Sequence, residues 1–192
     1  MLHALLALVS ALPGAHELSP APPPEGASPA HTWGSIEVHG SFLSDVADRS
    51  QIQNTFGYGL QVGHRWRRWG VFIRAEQNLW LASELSRDLE MGAANVGAGV
   101  DVVYYEGRMR SALSVGASVL LFETAFDEAG RTGFFVDLRP TGFRWPVGRS
   151  ATIEWDPLTF TLVAPVLSGI PLLMLEYRTA LSVEFRLGGG SP

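Results

Sequence analysis

Two polar residues of types that act together in hydrolases, His39 and Ser41, lie two positions apart in the segment His39-Gly40-Ser41. In an extended strand, alternate side chains point to the same face, so the imidazole and the hydroxyl would share one side. An imidazole can activate a hydroxyl nucleophile when a carboxylate orients it. This spacing also arises by chance, and the plainer interpretation is a histidine bonded to a buried carboxylate such as Glu37 or Glu184. His39 and Ser41 are therefore weak catalytic candidates, and we expect no enzyme.

Metal, cofactor and nucleic-acid sites find little support in the sequence. The chain has no Cys, and the other histidines, His3, His16, His31 and His64, share no metal-ligand spacing on one element. All 14 basic residues are Arg, and with 19 acidic residues the formal net charge is -5, which disfavours a polyanion partner. We therefore predict no metal, no cofactor and no nucleic-acid partner.

From Thr32 onward, apolar residues recur at every second position, which is the spacing of β-strands. The last segment is the clearest, since Leu181, Val183 and Phe185 alternate with Ser182 and Glu184. The same alternation marks eight segments, within 33–42, 55–66, 69–81, 94–104, 108–121, 134–145, 151–163 and 173–187. The pattern predicts an all-β protein whose strands each have one apolar and one polar face.

The polar faces carry acids and bases in similar numbers, together with glycines. The charged set is Glu37, Arg74, Glu76, Asp101, Arg108, Arg110, Asp137, Arg139, Glu154, Glu176, Arg178, Glu184 and Arg186. The glycines are Gly57, Gly59, Gly63, Gly97, Gly99 and Gly116. They alternate along strands instead of preceding a helix, so they are expected to make room for Arg and aromatic side chains and not to bind phosphate. Because eight strands enclose an interior just wide enough for side chains to fill, we expect the charges to plug a narrow lumen.

Two prolines fall inside predicted strands. Proline cannot donate to a β-ladder, so Pro140 and Pro157 predict bulges or breaks in the sixth and seventh strands. At Asp156-Pro157 the apolar residues also change from odd-numbered to even-numbered positions, which one inserted residue would explain.

The connections between the eight segments alternate in length. Short ones lie at 67–68, 106–107 and 146–150, and longer ones at 44–53, 83–90, 124–131 and 164–171. Barrels of bacterial outer membranes have short periplasmic turns and longer outer loops, with aromatic girdles at both interfaces. The residues predicted for the girdles are Trp33, Trp66, Trp69, Trp80, Tyr104 and Trp145. The pattern thus favours an eight-stranded antiparallel up-and-down transmembrane β-barrel.

The two ends of the chain lack the strand-like alternation of the barrel segment at 32–187. Residues 1–15 have the apolar run and small residues of a secretory signal peptide, and 16–31 form a Pro-rich linker. Residues 188–192 form a short flexible tail rich in glycine.

Over 32–187, the strand order, the loop alternation and the girdles resemble the small OmpA-like and OmpX-like outer-membrane barrels of Gram-negative bacteria. The segment from Arg178 to Phe185 is also similar to the C-terminal signal that the barrel-assembly machinery recognises, although Arg186, Leu187 and the tail follow the aromatic residue. The resemblance implies an outer-membrane location and membrane lipids as partners. The fourth long connection contains Val166, Leu167 and Ile170, an apolar patch that could contact a partner, the lipid or the barrel mouth.

Four alternatives use the same segments. A soluble lipocalin-like binding barrel would turn its apolar faces inward. A lipid-modifying enzyme would use His39 and Ser41, because their His-x-Ser spacing is similar to that of outer-membrane lipid A 3-O-deacylases. A narrow porin-like channel would need an open lumen. An inner-membrane helix at 158–175 is interrupted by Pro165, Gly169 and Pro171.

Overall fold

The structure is a computed structural model, and it describes residues 30–45, 52–81, 92–121, 132–148, 150–164, 166–167, 170–171 and 173–188. The strands within these ranges are β1 (His31–Asp45), β2 (Ile52–Trp66), β3 (Trp69–Leu81), β4 (Ala93–Tyr104), β5 (Met109–Leu120), β6 (Thr132–Val147), β7 (Ala151–Ala164), β8 (Val166–Leu167), β9 (Ile170–Pro171) and β10 (Met174–Gly188). The predicted signal peptide, nearly all of the linker, most of the tail and most of the long connections lie outside the described residues.

Eight of these strands close into one barrel in the order β1-β10-β7-β6-β5-β4-β3-β2. All eight neighbouring pairs are antiparallel, and the ring closes where β1 pairs with β10 over residues 32–45 and 174–188. The strands β8 and β9 form a separate two-stranded sheet, with Val166 opposite Pro171 and Leu167 opposite Ile170. The prediction of an eight-stranded antiparallel up-and-down β-barrel is confirmed.

Each barrel strand is polar toward the lumen, the space that the barrel encloses, and apolar toward the outside. In β4, Val96 is 61% exposed whereas its neighbour Asn95 is fully buried. Because side chains alternate along a strand, this difference shows which face of β4 points into the lumen and which points outward. A register slip of one residue would put the buried charges outside, so the closed sheet has a strongly specified register.

The ladder is irregular at both predicted prolines. The pairing of β6 with β7 shifts between Leu138 and Thr141 and again before Phe143. The pairing of β10 with β7 shifts between Arg178 and Ala180, opposite Thr159 and Asp156. Proline offers no N–H to the ladder, so an extra residue is accommodated there. The bulges predicted at Pro140 and Pro157 are confirmed, and the bulge in β6 keeps both Arg139 and Arg144, which flank it, inside the barrel.

Two alternatives from the sequence are wrong. Residues 158–164 continue strand β7, so they do not begin an inner-membrane helix. A soluble lipocalin-like barrel requires an apolar interior, whereas the described strands put nearly all of their charges inside and most of their large apolar side chains outside. Among the described residues, no helix is long and apolar enough to cross a membrane.

Glycines provide the room that large lumen side chains need. A Cβ atom at Gly99 would lie 2.4 Å from the Phe72 ring and 2.6 Å from the carbonyl oxygen of Leu113. At Gly116 it would lie 2.7 Å from the ring of Phe135. The expectation that these glycines accommodate aromatic side chains is therefore confirmed.

We expect Gly99→Ala to lower the free energy of unfolding by about 1–3 kcal/mol, because the methyl group overpacks the lumen against Phe72. Urea titration of the detergent-folded barrel measures the change. Gly40→Ala is the matched control, since a Cβ at Gly40 has nothing within 4 Å. Equal effects of the two substitutions would contradict the packing argument.

Candidate functional site: the barrel lumen

Charged side chains fill the lumen in two groups. The turn-side cluster, toward the short connections, consists of Arg65, Arg110, Arg144, Asp101, Glu154 and Glu184. The loop-side cluster, toward the long connections, consists of Arg74, Arg139, Arg178, Glu37, Glu76, Asp137, Asp156 and Glu176. All of these side chains are buried. Gln61 joins the two groups, because its Nε2 donates to Glu37 Oε2 at 2.8 Å and its Oε1 accepts from Arg110 at 3.5 Å.

In the turn-side cluster, each guanidinium pairs with two carboxylates. Arg65 Nη2 lies 2.6 Å from Asp101 Oδ2, and its Nη1 lies 3.0 Å from Glu184 Oε1. Arg110 Nε donates to the same Asp101 oxygen at 2.8 Å, and its Nη1 donates to Glu154 at 3.0 Å. Arg144 Nη2 donates to Glu184 at 2.6 Å. Three bases and three acids thus neutralise one another, as buried charges must.

Trp33 is part of this cluster and not of a membrane girdle. Its side chain is 0% exposed, and the guanidinium carbons of Arg65 and Arg110 lie 5.1 Å and 5.3 Å from its ring centroid. Phe72 packs beside it with ring centroids 6.0 Å apart. The odd-numbered residues of β1, which include Glu37 and His39, face the lumen, and Trp33 is one of them. The prediction that Trp33 belongs to a membrane girdle is therefore wrong.

Arg139 is the centre of the loop-side cluster. It binds Glu37 through both terminal nitrogens, at 2.7 Å and 2.9 Å. Its Nη1 also donates to Asp156 at 2.8 Å, and its Nε donates to Asp137 at 3.0 Å. One side chain from β6 therefore holds carboxylates of β1, β6 and β7.

The other two arginines complete the loop-side cluster. Arg178 donates to both oxygens of Glu76 at 3.0 Å and to Glu176 at 2.6 Å. Arg74 donates to Asp137 at 2.6 Å and also pairs with Glu76. Asp137 accepts a further bond from Thr161 at 2.8 Å. The network ties strands on opposite walls of the barrel to one another.

Two predicted members of the charge network lie elsewhere. Arg108 is exposed because it belongs to the turn before β5, and Arg186 is exposed near the end of β10. The other eleven predicted residues lie in the lumen. Sequence reasoning missed Arg65, Arg144 and Asp156, although Arg65 continues the polar parity of Gln61 and Gly63. Beyond the bulge in β6, the side chains that face the lumen change from odd-numbered to even-numbered positions. Arg144 was therefore not recognised as a lumen residue from the sequence.

His39 and Ser41 have separate partners in the structure. His39 Nε2 lies 2.6 Å from Asn78 Oδ1, and its Nδ1 lies 3.4 Å from Glu37 Oε1. Ser41 forms its hydrogen bond with Thr55. Both side chains are buried. The geometry therefore does not provide the imidazole and hydroxyl pair of a hydrolase, and it matches the plainer interpretation of His39 beside a lumen carboxylate.

The other predicted girdle residues vary in position. Trp66, Trp69 and Trp145 are about half exposed or more on the outside of the barrel. Tyr104 is part-buried, and its hydroxyl lies 3.1 Å from Ser111 Oγ. The side chain of Trp80 lies outside the described residues.

A closed antiparallel barrel with a polar lumen and an apolar exterior is the architecture of small outer-membrane barrels. The chain is similar in structure to Neisserial surface protein A (NspA), with a TM-score of 0.64 and 9% identity over 83% of this chain and 100% of that chain. It is also similar to Ail, the attachment invasion locus protein of Yersinia pestis, with a TM-score of 0.53 and 15% identity over the same shares. No family model and no curated protein sequence matches it. The resemblance to small eight-stranded outer-membrane barrels is confirmed at the level of the fold.

Proposed function

We propose that this chain is an integral β-barrel protein of the outer membrane of a Gram-negative bacterium, with a plugged polar lumen and a structural or interaction role. The observation that supports the proposal best is the polarity of the closed barrel, which is apolar outside and charged inside. Water would favour the reverse arrangement, whereas hydrocarbon favours this one. Closure of the sheet also satisfies the backbone groups that a lipid environment would leave unpaired.

The apolar exterior is continuous across many strands. Large side chains that are about half exposed or more include Ile36, Leu60, Ile73, Val96 and Val115 on five different strands. A contiguous apolar surface of this kind marks a lipid or protein contact, and its distribution around the barrel favours lipid. We propose outer-membrane lipids as its partners.

Two further contacts belong to the same proposal. The strand β10 includes the segment from Arg178 to Phe185, which is suited to recognition by the barrel-assembly machinery. Val166, Leu167 and Ile170 lie on the small sheet β8-β9, next to the loop end of β7, where an apolar segment is suited to a partner or to the membrane surface. A catalytic role is not proposed, because His39 and Ser41 are engaged with Asn78 and Thr55.

The barrel assignment is tested by electrophoresis of the detergent-folded protein with and without boiling. We expect the unboiled sample to migrate faster, because a closed ladder with a charged lumen resists unfolding by detergent. Fractionation of the source cells should place this form in the outer membrane. A single unshifted band in the soluble fraction would contradict the proposal.

The plugged lumen predicts little ion flow. Both clusters fill the interior with buried, paired side chains, so we expect no discrete single-channel conductance in planar bilayers. A porin with its lumen open to water serves as the positive control. Steady discrete openings of the pure protein would favour the narrow porin-like channel instead.

A further inference from the structure

The loop-side cluster carries more negative charge than its arginines neutralise. Within the described residues, five buried carboxylates face three guanidinium groups. The turn-side cluster is balanced, so the surplus is confined to the half of the lumen that contains His39. Each of these carboxylates contacts an arginine, but with a neutral imidazole the cluster holds two negative charges in excess, and burying excess charge is costly. A divalent cation would supply the charge that is missing.

The surplus coincides with a set of metal-ligating side chains. Glu37, His39 and Glu76 each offer one ligand atom, these atoms all lie within 4.8 Å of one another, and all three residues are buried. His39 is on β1 and Glu76 is on β3, and Gly57 on the intervening strand leaves space between them. A Cβ at Gly57 would lie 2.1 Å from His39 Nε2. The imidazole can therefore reach across β2.

The hydrogen bond of His39 leaves the correct nitrogen for a metal. Asn78 Oδ1 is an acceptor, so Nε2 donates to it, and the lone pair of a neutral imidazole is then on Nδ1. Nδ1 is fully buried, and its polar contact within the described part of the chain is the 3.4 Å approach to Glu37 Oε1, which lacks hydrogen-bond geometry. A ligating histidine usually donates its other ring N–H to a fixed acceptor, which is the arrangement that Asn78 provides.

The distance between His39 and Glu37 fits two ligands of one ion. Nδ1 and Glu37 Oε1 are 3.4 Å apart. Two atoms that each lie about 2.0–2.2 Å from a tetrahedral zinc ion are roughly 3.4 Å from each other. In this structure Arg74 Nη2 occupies the position between the two carboxylates, because it pairs with Glu76 and lies 3.7 Å from Glu37 Oε1. Its Nη1 remains held by Asp137 and Ser114, so an ion needs to replace only the contacts of Nη2.

We propose that Glu37, His39 and Glu76 bind a divalent transition-metal ion of the Zn²⁺ class inside the barrel. One imidazole and two carboxylates suit Zn²⁺ better than Mg²⁺ or Ca²⁺, which take oxygen ligands. The ion neutralises the loop-side cluster and links β1 to β3 across Gly57.

The test uses the full-length barrel folded in detergent in the presence of a chelator. The folded protein is dialysed against Zn²⁺, desalted and analysed for metal, and the unboiled gel shift verifies the fold of each sample. We expect about one zinc ion per barrel, and an excess of Mg²⁺ should not displace it. A folded barrel that retains no zinc, or one whose zinc exchanges with Mg²⁺, overturns the site and leaves the barrel assignment intact.

Two variants distinguish this site from adventitious binding. His39→Gln removes the Nδ1 ligand and should lower retained zinc at least about tenfold. Ser118→Ala, which changes a buried polar side chain outside the cluster, should retain zinc like the original protein. Equal zinc in His39→Gln and the original protein overturns the proposal. Glu76→Gln replaces His39→Gln if the latter does not fold.

Nitrogen-15 NMR of histidine-labelled protein needs no variant to fold. Zinc should shift the Nδ1 resonance of His39 and leave Nε2 protonated. A Nδ1 that carries a proton in the zinc-treated barrel would mean that a hydrogen bond to Glu37 occupies this nitrogen, and that result overturns the proposal.

Discussion

Replacing Arg139 with Met should lower the free energy of unfolding of the barrel by about 3–5 kcal/mol. The guanidinium of Arg139 contacts Glu37, Asp137 and Asp156 at 2.7–3.0 Å, and its side chain is buried. The methionine side chain fills similar space without the charge. The cost therefore arises from carboxylates that stay buried after losing their partner.

Urea-induced unfolding followed by tryptophan fluorescence in detergent micelles measures this cost. Arg108→Met is the control, because Arg108 is an exposed turn residue on the same barrel. We expect its effect to remain within about 0.5 kcal/mol. Similar losses for the two variants would show that the lumen network contributes nothing specific to stability.

A double variant tests the cause. Glu37 and Asp137 also lie within reach of Arg74, whereas Asp156 pairs only with Arg139 among the ion pairs of the described residues. Asp156→Asn added to Arg139→Met removes the most isolated negative charge and should recover part of the lost stability. If the two changes simply add, charge burial is not the origin of the loss.

The alternation of apolar and polar residues was sufficient to predict most of the fold. It predicts all eight barrel strands and the face of each that points into the lumen, because an apolar exterior and a charged interior impose a period of two on every strand. The two prolines predict the bulges. The alternation also places Trp33 inside the lumen. The tendency of tryptophan to lie at membrane interfaces misled the prediction, since parity along β1 decides the side and residue type does not.

Pairing across the lumen could not be predicted from the sequence. Arg139 and Glu37 are 102 positions apart, and they meet because the closed barrel brings β1 and β6 to opposite walls of one narrow space. The contact between His39 and Asn78 depends on Gly57, which lies between them on β2. A sequence pattern shows which side chains face inward, but the depth of each one follows from strand stagger and from the bulges.

The stability of this barrel thus depends on two environments separated by one layer of backbone. The lumen tolerates charge because acids and bases are paired, and the exterior tolerates large apolar side chains only if lipid surrounds it. Substitutions that exchange the two environments separate a membrane barrel from a soluble one.

Leu60→Arg should lower the free energy of unfolding in lipid vesicles by about 2–4 kcal/mol. Leu60 is 58% exposed near the middle of β2, where it lies between Ile36 and Ala75 on the outer face. In a bilayer this position is close to the midplane, where an arginine loses its hydration. In water the same change would replace an exposed leucine by a soluble residue at almost no cost.

Leu187→Arg provides a control at a different depth. Leu187 is 59% exposed, almost the same as Leu60, but it lies near the end of β10 at the turn side of the barrel. There the arginine can reach the headgroups, so we expect a cost of about 0–1 kcal/mol. Urea titrations of both variants in the same vesicles give the comparison. A cost at Leu60 no larger than at Leu187 would mean that the outer face does not contact hydrocarbon, and the apolar surface would then have to be covered by protein.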